Sequence, residues 1–409
     1  MTAGTDLLGA VRSALGDGSD VVDLVETASR IAWSTIAEPG DAVAGELVTV
    51  LGPERALGAV LEAADSGDVG DLLGRCVESG VAGSEDAVAF GAVLVAAVER
   101  WTPRLGRSDV AEVLAAARRV GAALLVPGTS GWPGAVDDLG PHAPLVLWSR
   151  SSAATAGPGL AVVGSRANTV AGAEAAAEIA STAVDAGCSV ISGGAYGIDA
   201  VAHRVSIAAG ASTTAVLAGG IDQLYPAGNV ELLRNVARQG TLLAESPPGT
   251  RPTRWRFLAR NRLIAALADV TVVVEAGARS GALNTAHHAA QLGRPVFAVP
   301  GAFSSSASVG CHRLVAQGRA QLVVHPRDPV DAAVASTTPF TVDRRDEPLT
   351  GARHDPEVLR VLDALGRRAM SDHEVAGRSG MSLAEVADAL ALAQLQGLVV
   401  HTSGGWARA

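Results

Sequence analysis

Lysine is absent from this 409-residue chain, so all 32 of its cationic side chains are arginine. Every positive charge is a planar guanidinium, able to fork onto a phosphate or lie flat on a base. Cysteine is scarce. Cys76, Cys188 and Cys311 are odd in number and form no CxxC pair, which argues against a disulfide framework or a structural zinc site and fits a reducing cytoplasm. Long apolar runs are missing too. None reaches the roughly 18 residues of a membrane span, and acids stand where a signal peptide would be basic, so a cytoplasmic protein with no membrane association is expected. Aromatic residues make up only 3% of the chain, yet 48% of it is hydrophobic, which is ample material for folded cores. The length allows two or three domains.

The net charge of −10 argues against nucleic acid as a partner until its distribution is resolved. Residues 1–150 carry 10 Arg and 21 acids, residues 151–330 carry 14 Arg and 10 acids, and residues 331–409 carry 8 Arg and 11 acids. The middle third alone is basic.

Residues 1–120 show apolar positions at helical spacing among many acids and read as an acidic helical domain. From Ala122 the pattern changes to short apolar runs. Those at Leu160, Ser189, Thr213, Thr241, Thr271, Pro295 and Gln321 alternate with Ala-rich stretches of helical length. Continuous apolar strands between helices predict a Rossmann-like, doubly wound, mostly parallel sheet covered on both faces, here over residues 121–330. Residues 331–352 are polar and aperiodic and read as a linker. Residues 353–409 predict three short helices, opened by Asp355-Pro356 and by the capping boxes Ser371–Glu374 and Ser382–Glu385, and then a hairpin around Ser403-Gly-Gly405. That order is the pattern of a winged helix.

The first core strand ends in Val163-Gly-Ser-Arg166. Backbone amides of Gly164 and Ser165 at a strand-to-helix turn, with the charge of Arg166, suit an anion; an ordinary turn with a solvated Arg166 is the competing reading. The second strand ends in Ser192-Gly-Gly-Ala-Tyr-Gly-Ile-Asp199. Gly193, Gly194 and Gly197 match neither GxGxxG nor a Walker loop, which leaves a second phosphate-friendly turn at the carboxyl edge of the sheet. Asp199 and His203, four apart, read as a structural contact rather than an acid–base pair. His287 and His288 are adjacent and diverge on a helix, so no metal site is expected there. The densest signal is Arg251-Pro-Thr-Arg-Trp-Arg-Phe-Leu-Ala-Arg-Asn-Arg262, with five Arg, two aromatics and no acid in twelve residues. Guanidinium groups interleaved with Trp255 and Phe257 fit single-stranded nucleic acid, whose backbone needs cations and whose bases need stacking faces. Glu275 can pair with a nearby Arg, and Ser280-Gly281 can add N–H donors.

Taken together, Val163–Arg166, Ser192–His203, Leu217-Ala-Gly-Gly-Ile-Asp-Gln-Leu-Tyr-Pro226, Phe257-Leu-Ala-Arg-Asn-Arg-Leu-Ile264, Glu275, Ser280–Ala286 and Gly293–Gly301 resemble the DNA-processing protein A (DprA/Smf) family. The resemblance is close from about Gly121 to Val324 and looser at either end, where residues 1–120 are similar to a SAM or helix-hairpin-like domain. It implies a protein that binds single-stranded DNA, forms a homodimer and helps load a RecA-type recombinase during natural transformation or homologous recombination, with no catalytic residues, metal or cofactor. The DNA-contacting positions implied by the resemblance are Gly164, Ser165, Arg166, Arg254 and Phe257, ahead of the Arg260-Asn261-Arg262 motif. In this reading Arg166, Arg254, Arg260 and Arg262 neutralise phosphates, Phe257 stacks on a base, and Gly164, Ser165, Gly193 and Gly194 offer amides. The implied dimer surface lies near Val315, Ala316 and Leu322. Two positions depart from the family: Leu258 stands where Pro is frequent, and Arg254 where Lys or Gln is. The rival reading is a nucleotide-processing enzyme of the phosphoribohydrolase kind, but Leu217-Ala-Gly-Gly is followed by Ile-Asp rather than the expected PGGxGT loop and glutamate. For the winged helix, the acid excess favours a protein partner or a regulatory role over duplex reading.

Overall fold

The computed structural model describes residues 2–16, 22–80, 87–106, 109–151, 157–337, 356–366, 368–395, 397–402 and 404–408. Two compact units are present, Met1–Pro339 and Phe340–Ala409. Among the described residues no helix is long and apolar enough to cross a membrane.

The apolar runs become strands. In chain order these are β1 (Ala123–Leu125), β2 (Leu147–Ser151), β3 (Gly159–Val163), β4 (Ser189–Ser192), β5 (Thr213–Leu217), β6 (Thr241–Ala244), β7 (Val270–Val273), β8 (Val296–Ala298) and β9 (Gln321–Leu322). They are fully buried from β3 to β8 and partly or wholly exposed at the edge strands β1 and β9. They form one sheet in the order β1-β2-β6-β5-β4-β3-β7-β8-β9. From β6 to β9 every pairing is parallel, with Leu160 of β3 opposite Val190 on one side and Val270 on the other; β1 and β2 add an antiparallel edge. Alternate residues of β3 feed two cores. Ala161 and Val163 pack with the helices Arg254–Leu267 and Ala282–Gln291, while Leu160 and Val162 pack with Val170–Asp185 and Ile198–Ala208. This is the expected doubly wound sheet. The order of its strands reverses between β3 and β7, and open α/β sheets bind ligands outside the carboxyl ends of strands at such a switch point.

Seven helices lie between Thr2 and Arg119 among the described residues. Asp23, Asp41 and Asp109 cap three of them by accepting backbone amides of the first turn. The five helices from Leu24 to Trp101 share a core centred on Trp33 and Trp101, whose rings meet edge to face at 5.1 Å, while Thr2–Leu15 and Val110–Arg119 pack with Leu124 and Trp148 of the sheet. These helices belong to the same compact unit as the sheet. The helix Arg327–Thr337 extends over residues 331–337, expected from composition to be linker, because Val330 and Ala333 bury themselves against the strand core.

The second unit holds three helices, Pro356–Ala364, Asp372–Ser379 and Leu383–Leu395, then a hairpin of β10 (Val399–Thr402) and β11 (Gly405–Arg408). Met370 forms an isolated antiparallel bridge with Trp406. Both expected capping boxes form, Ser371 with Glu374 and Ser382 with Glu385. The Asp355 cap lies outside the described residues.

Candidate nucleic-acid interface

Because β3 to β8 run parallel, the loops that leave them share one rim, with the switch point between β3 and β7 at its centre. The loop after β3 presents Gly164, Ser165 and Arg166. Gly197 allows it to sit close: φ is +78°, and a Cβ there would lie 2.1 Å from the Ser165 carbonyl oxygen. Ile198, next in the chain, donates its amide to that carbonyl at 3.2 Å. From below, the buried Glu275 carboxylate accepts the Thr169 amide at 3.0 Å and the Thr169 hydroxyl, while Thr169 caps the helix Val170–Asp185. Glu275 thus anchors the loop rather than pairing with an Arg.

The helix Arg254–Leu267 enters the rim from β6, capped by Thr253, with no acid in its first turn. Arg254 and Trp255 are exposed there, Trp255 to 63%. A helix N-terminus carries partial positive charge, so Arg254 and Arg256 in its first turn concentrate cationic potential that favours an anion. Arg256 is partly neutralised, giving a two-pronged pair to Glu38 at 3.0 and 2.9 Å. Phe257 turns toward the β3 loop. The Arg166 guanidinium carbon lies 4.8 Å from the Phe257 ring centre, and the ring of Tyr225, 51% exposed, lies 5.7 Å away on a tilted plane. An open guanidinium thus sits against an aromatic pair. Beside it a cleft of about 410 Å³ is lined by Gly164, Ser165, Arg166, Asn261, Arg279 and Ser280.

The rest of the Arg-rich motif points inward, which corrects its expected role. Arg260 is buried and donates to the carbonyls of Gly193, at 2.9 Å, and Val216, so it ties the carboxyl ends of β4 and β5 together. Burial lowers its pKa to about 10 against the opposing charge of Asp199, and it remains a cation at neutral pH. Asn261 donates to the Gly281 carbonyl and the Asn284 side chain, both at 3.2 Å. Arg262 pairs with Glu245 at 2.7 Å, with side chains only 5% and 11% exposed; the same carboxylate oxygen accepts the Gly40 amide from the helical region. Arg260 and Arg262 are thus enclosed by protein rather than left open to phosphate.

Gly193 is corrected in the same way. Its amide donates to Asp199 Oδ2 at 3.1 Å, alongside that of Ala195 at 3.3 Å, and a Cβ on it would collide with the Arg260 guanidinium. Burial pushes the Asp199 carboxyl above the usual carboxylate range, while Arg260 and the two amides pull it back. Asp199 and His203 face different partners: His203 Nδ1 bonds the Thr213 hydroxyl at 2.9 Å. The residues expected to form a dimer surface fall at the far end of the sheet, where Ala316 and Leu322 are exposed, Val315 is half-buried, and β9 is an edge strand.

Tyr225 and Arg279 belong to this surface and were not singled out from the sequence. One signal for Arg279 was available: no Asp or Glu occurs between Glu275 and Asp328, a stretch holding five Arg.

The model of the family described as DNA recombination-mediator protein A matches residues 123–333. A putative DNA processing protein DprA from Mycobacterium tuberculosis is 41% identical over 395 residues, spanning 92% of this chain and 93% of that protein. The DNA processing protein DprA of Bacillus subtilis is 34% identical over 223 residues, 54% of this chain and 73% of that one. The crystal structure of DNA processing protein A from Streptococcus pneumoniae superposes with a TM-score of 0.55 at 28% identity, covering 76% of this chain and 97% of that chain.

Proposed function

The chain belongs to the DNA recombination-mediator protein A family, also called DprA or Smf, and from that premise we propose that it binds single-stranded DNA along the carboxyl rim of its sheet. The observation that carries this reading is the Arg166–Phe257–Tyr225 cluster. A guanidinium supplies charge for a phosphate, and two aromatic faces at its side accept an unpaired base; a duplex, with its bases already stacked inward, has no use for those faces. Arg166 and Arg254 are the phosphate partners, Phe257 is the stacking platform, and the loop amides of Gly164 and Ser165 line the cleft beside them.

As a recombination mediator, the protein protects incoming or recombining strands and passes them to a RecA-type recombinase. It acts as a homodimer in the cytoplasm, with the exposed Leu322 edge and the nearby Val315 and Ala316 as the contact between copies. The reading is of a binding protein rather than an enzyme. The C-terminal unit is a winged helix, supported by its three helices, the Met370–Trp406 bridge and the hairpin; its 11 acids against 8 Arg across 331–409 favour a protein partner over duplex DNA.

Fluorescence polarisation with a labelled oligothymidylate and a duplex of equal length, titrated with salt, tests the proposal. The single strand is expected to bind more tightly, and Phe257→Ala to weaken it about 5- to 150-fold, from the roughly 1–3 kcal/mol of one stacked base. Equal affinity for duplex, or an unchanged Phe257→Ala variant, overturns it.

A further inference from the structure

Among the described residues, the exposed aromatic side chains are Tyr196, Tyr225, Trp255 and Phe303, and each lies in the segment leaving the carboxyl end of a parallel strand: β4, β5, β6 and β8. Single exposed apolar residues are ordinary; confinement of every exposed aromatic to one rim is not. Three of the four stand on the β4–β6 side of the switch point. Phe303 stands alone on the other side, and at 93% it is the most exposed of all.

Its loop is ordered by its own bonds. The Ser305 amide donates to the Ala302 carbonyl at 2.9 Å, closing a turn with Phe303 just inside it, and the Ser308 amide donates to Ser305 at 3.1 Å. His312 Nε2 donates to the Gly301 carbonyl at 3.0 Å. That turn position needs only a small polar residue, and an exposed Phe forgoes roughly 1.5–3 kcal/mol of burial. The loop abuts the switch-point cleft: Gly310 donates its amide to Ala276 at 2.6 Å, and a Cβ on Gly277, which lines the cleft, would lie 3.6 Å from the Ser306 carbonyl oxygen. Arg279 and Arg313 are exposed on either side of this loop in sequence, and Glu275, the last acid before it, is turned inward. With strands spaced about 4.8 Å apart, the β8 loop stands about 10 Å along the rim from the β3 loop that carries Arg166.

We propose that Phe303 is a second base-stacking platform, so that a single strand held at Arg166 and Phe257 crosses the switch-point cleft past Arg279 and ends its contact on Phe303. This rests on the single-strand reading above and sets the length and path of that strand. Stacking alone tolerates any base, so the added contact carries no sequence preference.

The test uses the full chain with labelled oligothymidylates of 3 nucleotides, too short to reach from Phe257 to Phe303, and of 18 nucleotides, and the variants Phe303→Ala, Phe303→Leu and Phe303→Trp. Wild type gains affinity from the short strand to the long one. Phe303→Ala lowers affinity for the long strand about 5- to 150-fold and leaves the short one, centred on Phe257, within about 2-fold. Phe303→Trp restores the long-strand affinity and Phe303→Leu does not, because an apolar contact without a ring face cannot stack. A long strand bound equally by wild type and Phe303→Ala overturns the second platform while leaving the first intact, and Leu performing as well as Trp overturns stacking as its basis. Failure of wild type to bind either strand overturns the single-strand reading itself.

Discussion

The first turn of the helix Arg254–Leu267 leaves Arg254 and Trp255 in solvent, whereas two turns later Arg260, Asn261 and Arg262 are enclosed. The residue types are nearly the same, and the difference lies in which acceptors stand opposite. Arg260 meets the carbonyls of Gly193 and Val216, and Arg262 meets Glu245. In the first turn Arg256 meets Glu38, but Arg254 stays in solvent at a helix end that already carries partial positive charge, where a cation costs about 0.3–1 kcal/mol unless an anion arrives. A cation met by protein acceptors becomes a brace, and one placed against the dipole in open solvent is poised for a ligand.

That contrast breaks most visibly at Arg262. Removing it strands the buried Glu245 carboxylate, and Arg262→Ala is expected to lose about 3–5 kcal/mol of stability in denaturant unfolding. Arg254→Ala, on the surface, should stay within about 0.5 kcal/mol of wild type. Coincident unfolding curves for the two variants would erase the distinction. The double change Arg262→Met with Glu245→Leu sharpens it: apolar replacement of both partners leaves no charge stranded, and most of the stability should return.

This division also marks how far the sequence could be read. Seven apolar runs between helices determine a doubly wound sheet almost by themselves, since strands covered on both faces need no polar alternation. The loops that carry Arg166 and Phe257 were legible for the same reason, because each follows a strand. Orientation within Arg251–Arg262 was not. Helical spacing says that Phe257 and Arg260 are neighbours, but the acceptors that draw Arg260 and Arg262 inward come from β4, β5 and Glu245, up to 67 residues away. Glu275 was misread similarly, because its partner Thr169 lies 106 residues away across the switch point. Tyr225 sits within a motif quoted for other reasons, and only the fold shows it beside Phe257.

Burial on the structural side of this divide can be read through pH. Thr213 donates its hydroxyl to the Val190 carbonyl, so His203 must donate from Nδ1 to Thr213, which leaves Nε2 unprotonated, buried and without a partner. Burial, reinforced by the charge of Arg260, lowers the His203 pKa to about 3. The unfolded chain takes up a proton as pH falls below about 6.5, while the folded protein does not until about 3. Stability is therefore unaffected above that range and falls through it, by at most about 1.4 kcal/mol per pH unit. His203→Asn, which cannot titrate, should flatten this acid limb in unfolding measured from pH 7 to 4. An acid limb as steep as wild type would show that the interior around Arg260 admits a proton.

Arg166 gives the smallest and most diagnostic effect on the ligand side. Its side chain is exposed, so Arg166→Ala should leave the unfolding midpoint in place. Each phosphate neutralised on a single strand contributes about 0.7 to the slope of log K against log salt, and losing Arg166 should flatten that slope by about this amount. Phe257→Ala should weaken binding yet keep the slope, because stacking releases no counterion. The two variants thus separate charge from stacking at a pair of residues only 4.8 Å apart. If both flatten the slope equally, Phe257 merely positions the Arg166 guanidinium, and the ring is a brace of the kind found deeper in the same helix.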